Sequence, residues 1–208
     1  MNPRAALWAL ATLGACALAS PATNARGGTP DLELYAGEMF GDRIPDAAFT
    51  GAHPLLDDAV AFGGRYTYYF TDQWGLQLSA GYSPNRTARL LGDYGNLDLT
   101  TLDLDLVWNI APGFSFGRHA VTPYTEAGLG YAWADLGQRL YGLIGTTPVQ
   151  LTDRGGYTAN FGIGVKYQVT SDLFVDFDAR YRYLSGLLSP DGRGMNTGET
   201  TLSVGYQF

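Results

Sequence analysis

Residues 98–110 read Asp98-Leu99-Thr100-Thr101-Leu102-Asp103-Leu104-Asp105-Leu106-Val107-Trp108-Asn109-Ile110. Leu102, Leu104, Leu106, Trp108 and Ile110 alternate with Thr101, Asp103, Asp105 and Asn109. A period of two sends the two sets to opposite faces of a strand, whereas a helical period would mix them on one side. One face is continuous apolar surface and the other carries acids. The stretch is also long enough to cross a bilayer as a tilted strand, which takes about 9–11 residues.

The same alternation recurs along the chain. Near 31–40, Leu32, Leu34 and Ala36 oppose Glu33, Tyr35 and Gly37. Near 59–70, Val60, Phe62, Tyr66, Tyr68 and Phe70 oppose Ala61, Gly63, Arg65 and Thr67, and over 75–83 Leu76, Leu78, Ala80 and Tyr82 oppose Gln77, Ser79 and Gly81. The second half continues with Leu129, Tyr131 and Trp133 against Glu126, Gly128, Gly130 and Ala132 near 122–134. Near 156–169, Tyr157, Phe161, Ile163, Val165, Tyr167 and Val169 oppose Thr158, Asn160, Gly162, Gly164, Lys166 and Gln168. Over 173–184, Val175, Phe177, Ala179, Tyr181 and Tyr183 oppose Asp176, Asp178, Arg180 and Arg182. Over 199–208, Leu202, Val204, Tyr206 and Phe208 oppose Thr201, Ser203, Gly205 and Gln207.

These segments predict eight strands. Their connections alternate in length: tight turns at Thr71-Asp72-Gln73-Trp74 and Thr170-Ser171-Asp172, a somewhat longer one over 111–121, and long loops near 41–58, 84–97, 135–155 and 185–198. Short turns on one side and long loops on the other fit an antiparallel barrel in an outer membrane, with the long loops outside the cell.

Composition agrees. The chain has 208 residues, 16% charged, 13% aromatic and 28 Gly, against about 25% charged and about 7% Gly in soluble globular proteins. A formal net charge of −7 excludes the basic stripe of a nucleic-acid binder. At the N-terminus, Arg4 precedes the weakly apolar run from Ala5 to Ala19, which is too short to span a membrane and fits an export signal. Cleavage is expected between 19 and 25, giving a signal peptide over 1–25 and a barrel over 26–208. A competing reading makes Leu13-Gly14-Ala15-Cys16 a lipoprotein box with Cys16 acylated.

A soluble secreted β-sandwich or lipocalin-like barrel would turn its apolar face inward. Against that, Gly63, Gly81, Gly128, Gly130, Gly162, Gly164 and Gly205 all fall on the polar face, where a narrow lumen needs small residues. Aromatic residues gather at the segment ends, as membrane interfaces favour. The fold class expected is therefore all-β: a transmembrane, antiparallel, up-and-down barrel of eight strands.

With its signal peptide, eight alternating segments, Thr-Asp-x-Trp turn and terminal Leu202-Ser203-Val204-Gly205-Tyr206-Gln207-Phe208, the chain resembles the OmpA/OmpX-like outer-membrane barrels of Gram-negative bacteria. The resemblance implies that Tyr206 and Phe208 form the signal read by the barrel-assembly machinery. It also implies outer-membrane lipid and lipopolysaccharide as surroundings, and a monomer.

The inward face collects Glu33, Arg65, Asp103, Asp105, Glu126, Lys166, Asp176, Asp178, Arg180 and Arg182, six acids and four bases. A turn centred on Ser171 sets Lys166 opposite Asp176. Charges away from water need partners, so the set reads either as a salt-bridge plug or as a narrow, gated pore preferring cations. Each long loop carries an aliphatic pair: Leu55-Leu56, Leu90-Leu91, Leu143-Ile144 and Leu187-Leu188. Packed together they would cap the barrel mouth; left open they would form a rim for a small apolar ligand, as in OmpW-like barrels, or for another surface. No zinc spacing, phosphate loop or nucleophile elbow is present, and neither a metal nor a cofactor is expected. His53 with Ser83 or Asp93 is a distant candidate for lipid-modifying chemistry, and His119 is expected in a periplasmic turn.

Overall fold

The computed structural model describes residues 28–42, 55–89, 92–110, 114–116, 119–136, 140–144, 147–151, 154–187 and 194–208. Eight strands make the wall: β1 Pro30–Phe40, β2 Ala59–Tyr69, β3 Trp74–Arg89, β4 Gly92–Asn109, β5 His119–Leu136, β6 Arg154–Gln168, β7 Leu173–Leu184 and β8 Met195–Gln207. Each is antiparallel to the next. β8 returns to β1, from Asp31↔Gln207 to Phe40↔Gly198, and closes the barrel.

Register partners followed around the wall run Pro30, Tyr68, Leu76, Leu106, Ala127, Phe161, Tyr181 and Gly198, and re-enter β1 at Phe40, ten residues past the start. A stagger of that size tilts the strands by about 45°. Residues side by side across two strands therefore lie at different heights, and a side chain finds its neighbours in the lumen several strands away.

The outward face is apolar and exposed: Leu34 is 72% exposed, Leu202 58% and Ile163 57%. Such a face is stable against lipid and not against water. Two aromatic girdles bound it. At the turn end Trp74 stacks on Trp108 with centroids 5.9 Å apart, and Tyr206 meets Phe208 edge-on at 4.9 Å. At the loop end Tyr131 contacts Trp133 and Tyr157, and Phe62 contacts Tyr82.

The two tight turns share one construction. Thr71 Oγ1 accepts from the backbone N–H of Gln73 and Trp74, and Thr170 Oγ1 accepts from those of Asp172 and Leu173. Each hydroxyl satisfies amides that the strand ladder leaves over.

Loop boundaries differ from the sequence expectation. The 84–97 stretch is mostly strand: the β3–β4 hairpin pairs on to Arg89↔Gly92, with a register shift between Arg86 and Ala88. Past Ser83 the outward side leaves the lipid, so the apolar alternation that marks a strand lapses while its backbone pairing continues, with Asn85 and Leu97 still buried on the inward side. For the same reason 135–155 contains a separate hairpin of Leu140–Ile144 with Thr147–Leu151, and Leu55–Leu56 pairs with Ala88 and Thr87. His119 opens β5 within the turn-end connection, opposite Phe116 of the short strand Phe114–Phe116. The expected signal peptide, Cys16, His53, Leu90, Leu91 and Leu188 lie outside the described residues.

Candidate functional site

All ten inward charges read from the sequence lie inside the barrel, at most 3% exposed except for Lys166, whose side chain is 12% exposed. Two more acids join them, Asp31 at 1% and Glu199 at 5%. Among the described residues the lumen therefore holds eight acids to four bases, and not six to four. Both additions were legible as parity: Asp31 shares the phase of Glu33, and Glu199 that of Thr201.

The four cations divide the lumen. Nearer the turns, Lys166 Nζ lies 2.5 Å from Asp31 Oδ2, 3.6 Å from Glu33 Oε1 and 4.1 Å from the centroid of the Phe174 ring. Arg65 pairs with Asp178, donates to Thr201 Oγ1 at 3.0 Å and lies 4.5 Å from the Tyr35 ring centroid. Nearer the loops, Arg180 meets Glu126 Oε1 at 2.5 Å, Asp105 at 3.3 Å and Asp103 at 3.6 Å. Arg182 bridges Asp103 at 2.8 Å and Glu199 at 3.1 Å. Neutral donors complete the set: Gln77 Nε2 donates to Glu126, Thr158 to Asp103 and Ser203 to Glu33.

Lys166 and Asp176 do stand opposite each other in the β6–β7 register, yet the ammonium goes to Asp31. Asp176 instead accepts a hydrogen bond from Tyr124 Oη at 2.8 Å. The strand tilt explains the difference, because it brings β1 acids to the height of Lys166 across the lumen.

Glycines give these long side chains their room. A Cβ on Gly128 would run into Asp105 and one on Gly130 into Asp103, so both acids lie flat over β5. Gly164 receives the Tyr124 ring and Gly205 the Phe174 ring in the same way.

Apolar layers lie at both ends of the charged zone. Toward the loops, Met39, Leu56, Ala61, Leu97, Leu99, Ala132, Ala134, Leu184, Leu187 and Met195 form one buried cluster. Toward the turns, Tyr69, Val107 and Tyr124 form another. Of the four aliphatic pairs, Leu56 and Leu187 enter the upper cluster, at 3% and 0% exposed. Leu143 and Ile144 lie in the separate hairpin. Tyr206 and Phe208 face outward, 43% and 46% exposed.

Of the candidate for lipid chemistry, His53 lies outside the described residues. Ser83 is buried, and its hydroxyl donates to Val60 O at 2.9 Å. Asp93 sits in the β3–β4 hairpin opposite Ala88.

A closed eight-stranded barrel with a lipid-facing belt and a polar interior is a transmembrane barrel protein. The outer membrane protein beta-barrel domain family matches residues 8–208, and the chain belongs to that family. Its location is the bacterial outer membrane. No curated protein matches the chain. Among solved structures, outer membrane protein OprG from Pseudomonas aeruginosa is similar at a TM-score of 0.57 and 16% identity, over 88% of this chain and 97% of that one. Neisserial surface protein A (NspA) is similar at 0.54 and 15%, over 88% of this chain and 97% of its own. At these identities the likeness is one of fold.

Proposed function

We propose that this protein is a sealed outer-membrane barrel with a structural or surface-interacting role, its lumen plugged by ion pairs. The observation that carries the reading is the layering: a zone of paired, buried charges between two buried apolar clusters. Water crossing the barrel would have to displace both. On this reading the loop end, facing outside the cell, is the part free to meet other molecules, with the aliphatic pairs packed as a cap. The reading gives the chain no catalytic role, takes it as a monomer in lipid and lipopolysaccharide, and has the barrel-assembly machinery read the outward Tyr206 and Phe208.

The excess of acids favours a second reading, a narrow cation-preferring pore, since eight carboxylates share four cations among the described residues. Single-channel conductance in planar bilayers separates the two, with Arg65→Ala and Lys166→Ala measured alongside the natural sequence. The sealed reading expects silence from the natural sequence. Discrete steps that either substitution enlarges would replace it with a gated pore.

A further inference from the structure

Seven of the eight strand pairings join strands consecutive in the chain, so covalent backbone connects each pair at one end. The eighth, β1 with β8, joins Asp31 to Gln207 and has no connecting segment at either end. Opening this seam needs no turn to unfold, which makes it the weakest line in the wall unless side chains hold it.

We propose that Lys166 and Arg65 form a latch that holds the β1–β8 seam shut. Lys166 stands on β6 and reaches past β7 and β8 to Asp31 and Glu33 on β1. Arg65 stands on β2 and crosses the seam in the opposite direction, to Asp178 on β7 and Thr201 on β8. Ser203 of β8 adds a direct tie, donating to Glu33 of β1 at 3.1 Å. Among the described residues the other two cations pair with no acid of β1 or β2: Arg180 and Arg182, both on β7, reach Ser79 of β3, acids of β4 and β5, and the adjacent β8.

Parting β1 from β8 would pull the latch cations from their acids where little water can replace them, so the latch resists opening as a connecting turn does elsewhere. With the latch neutralised, the wall yields first at this seam, opening sideways toward lipid.

Amide hydrogen exchange of the protein in lipid vesicles tests this. Segments 31–40 and 199–207 report on the seam, and 97–108 and 124–134 on the opposite wall. Lys166→Met should speed exchange in the seam segments at least about tenfold while the opposite wall stays unchanged. Asp31→Asn should act in the same direction, and Glu126→Gln, on the far wall, should leave the seam at its natural rate. An unchanged seam, an equal rise all round the barrel, or a seam response to Glu126→Gln would overturn the latch. If Lys166→Met fails to assemble, Asp31→Asn keeps all four cations and decides the matter alone.

Discussion

Arg180 lies within 3.6 Å of three carboxylates, those of Glu126, Asp105 and Asp103. Of the three, only Asp103 has a second cation among the described residues, Arg182. Arg180→Met would strip Glu126 and Asp105 of their ion pairs while leaving both buried. Removing one side of a buried ion pair costs about 3–5 kcal/mol, because the remaining charge keeps its desolvation penalty. Urea unfolding in vesicles should therefore show a loss of about that size for Arg180→Met. Adding Glu126→Gln and Asp105→Asn should return most of it, since neutral amides carry a far smaller penalty. A single-variant loss below about 1 kcal/mol would mean that water already reaches this group. At this scale the sequence discloses which residues face inward, because parity is strictly local. It does not disclose who meets whom, as Lys166 demonstrates: its partner depends on the stagger of the whole barrel.

Thr71 and Thr170 play the same part in two hairpins far apart in the chain, each accepting two backbone amides at the start of a tight turn. Thr170→Ala should cost about 0.5–1.5 kcal/mol, the net value of an ordinary hydrogen bond, and Thr170→Ser should cost little. Equal losses for Ala and Ser would point to the methyl group and away from the hydroxyl. These turns were readable because their chemistry lies within four residues. Strand ends were not. β3 and β4 run on as a hairpin through residues expected to be loop, pairing Asn85 with Leu97 and Arg86 with Asn96. Alternating hydropathy records where a strand meets lipid on one side and the lumen on the other, and it lapses once the outward side leaves the lipid, although Asn85 and Leu97 stay buried on the inward side. Hydrogen-bond pairing has no such sequence signature.

Across the molecule, the upper apolar cluster draws on β1, β2, β4, β5, β7 and β8 and on Leu56 and Leu187 from connections outside the eight wall strands. It thus joins one side of the barrel mouth to the other, and a loss at one contributor should be felt at loops belonging to the others. Leu56 is 3% exposed, and replacing a buried leucine by a small residue costs about 2–5 kcal/mol. That energy lies in contacts shared by the whole mouth and not in one hairpin. Leu56→Ser should therefore speed trypsin cleavage after Arg139 and Arg193, in connections remote in sequence from residue 56, without releasing the strands from the membrane. Val60→Ser is the comparison, because Val60 is 61% exposed on the outward face. Unchanged cleavage at both arginines would mean that the cluster fills the mouth without tethering the loops. Cleavage rising only near residue 56 would confine its effect to one connection. A rise at all sites would make the mouth a single cooperative unit, and any partner that binds there would then meet one surface whose shape depends on every loop together.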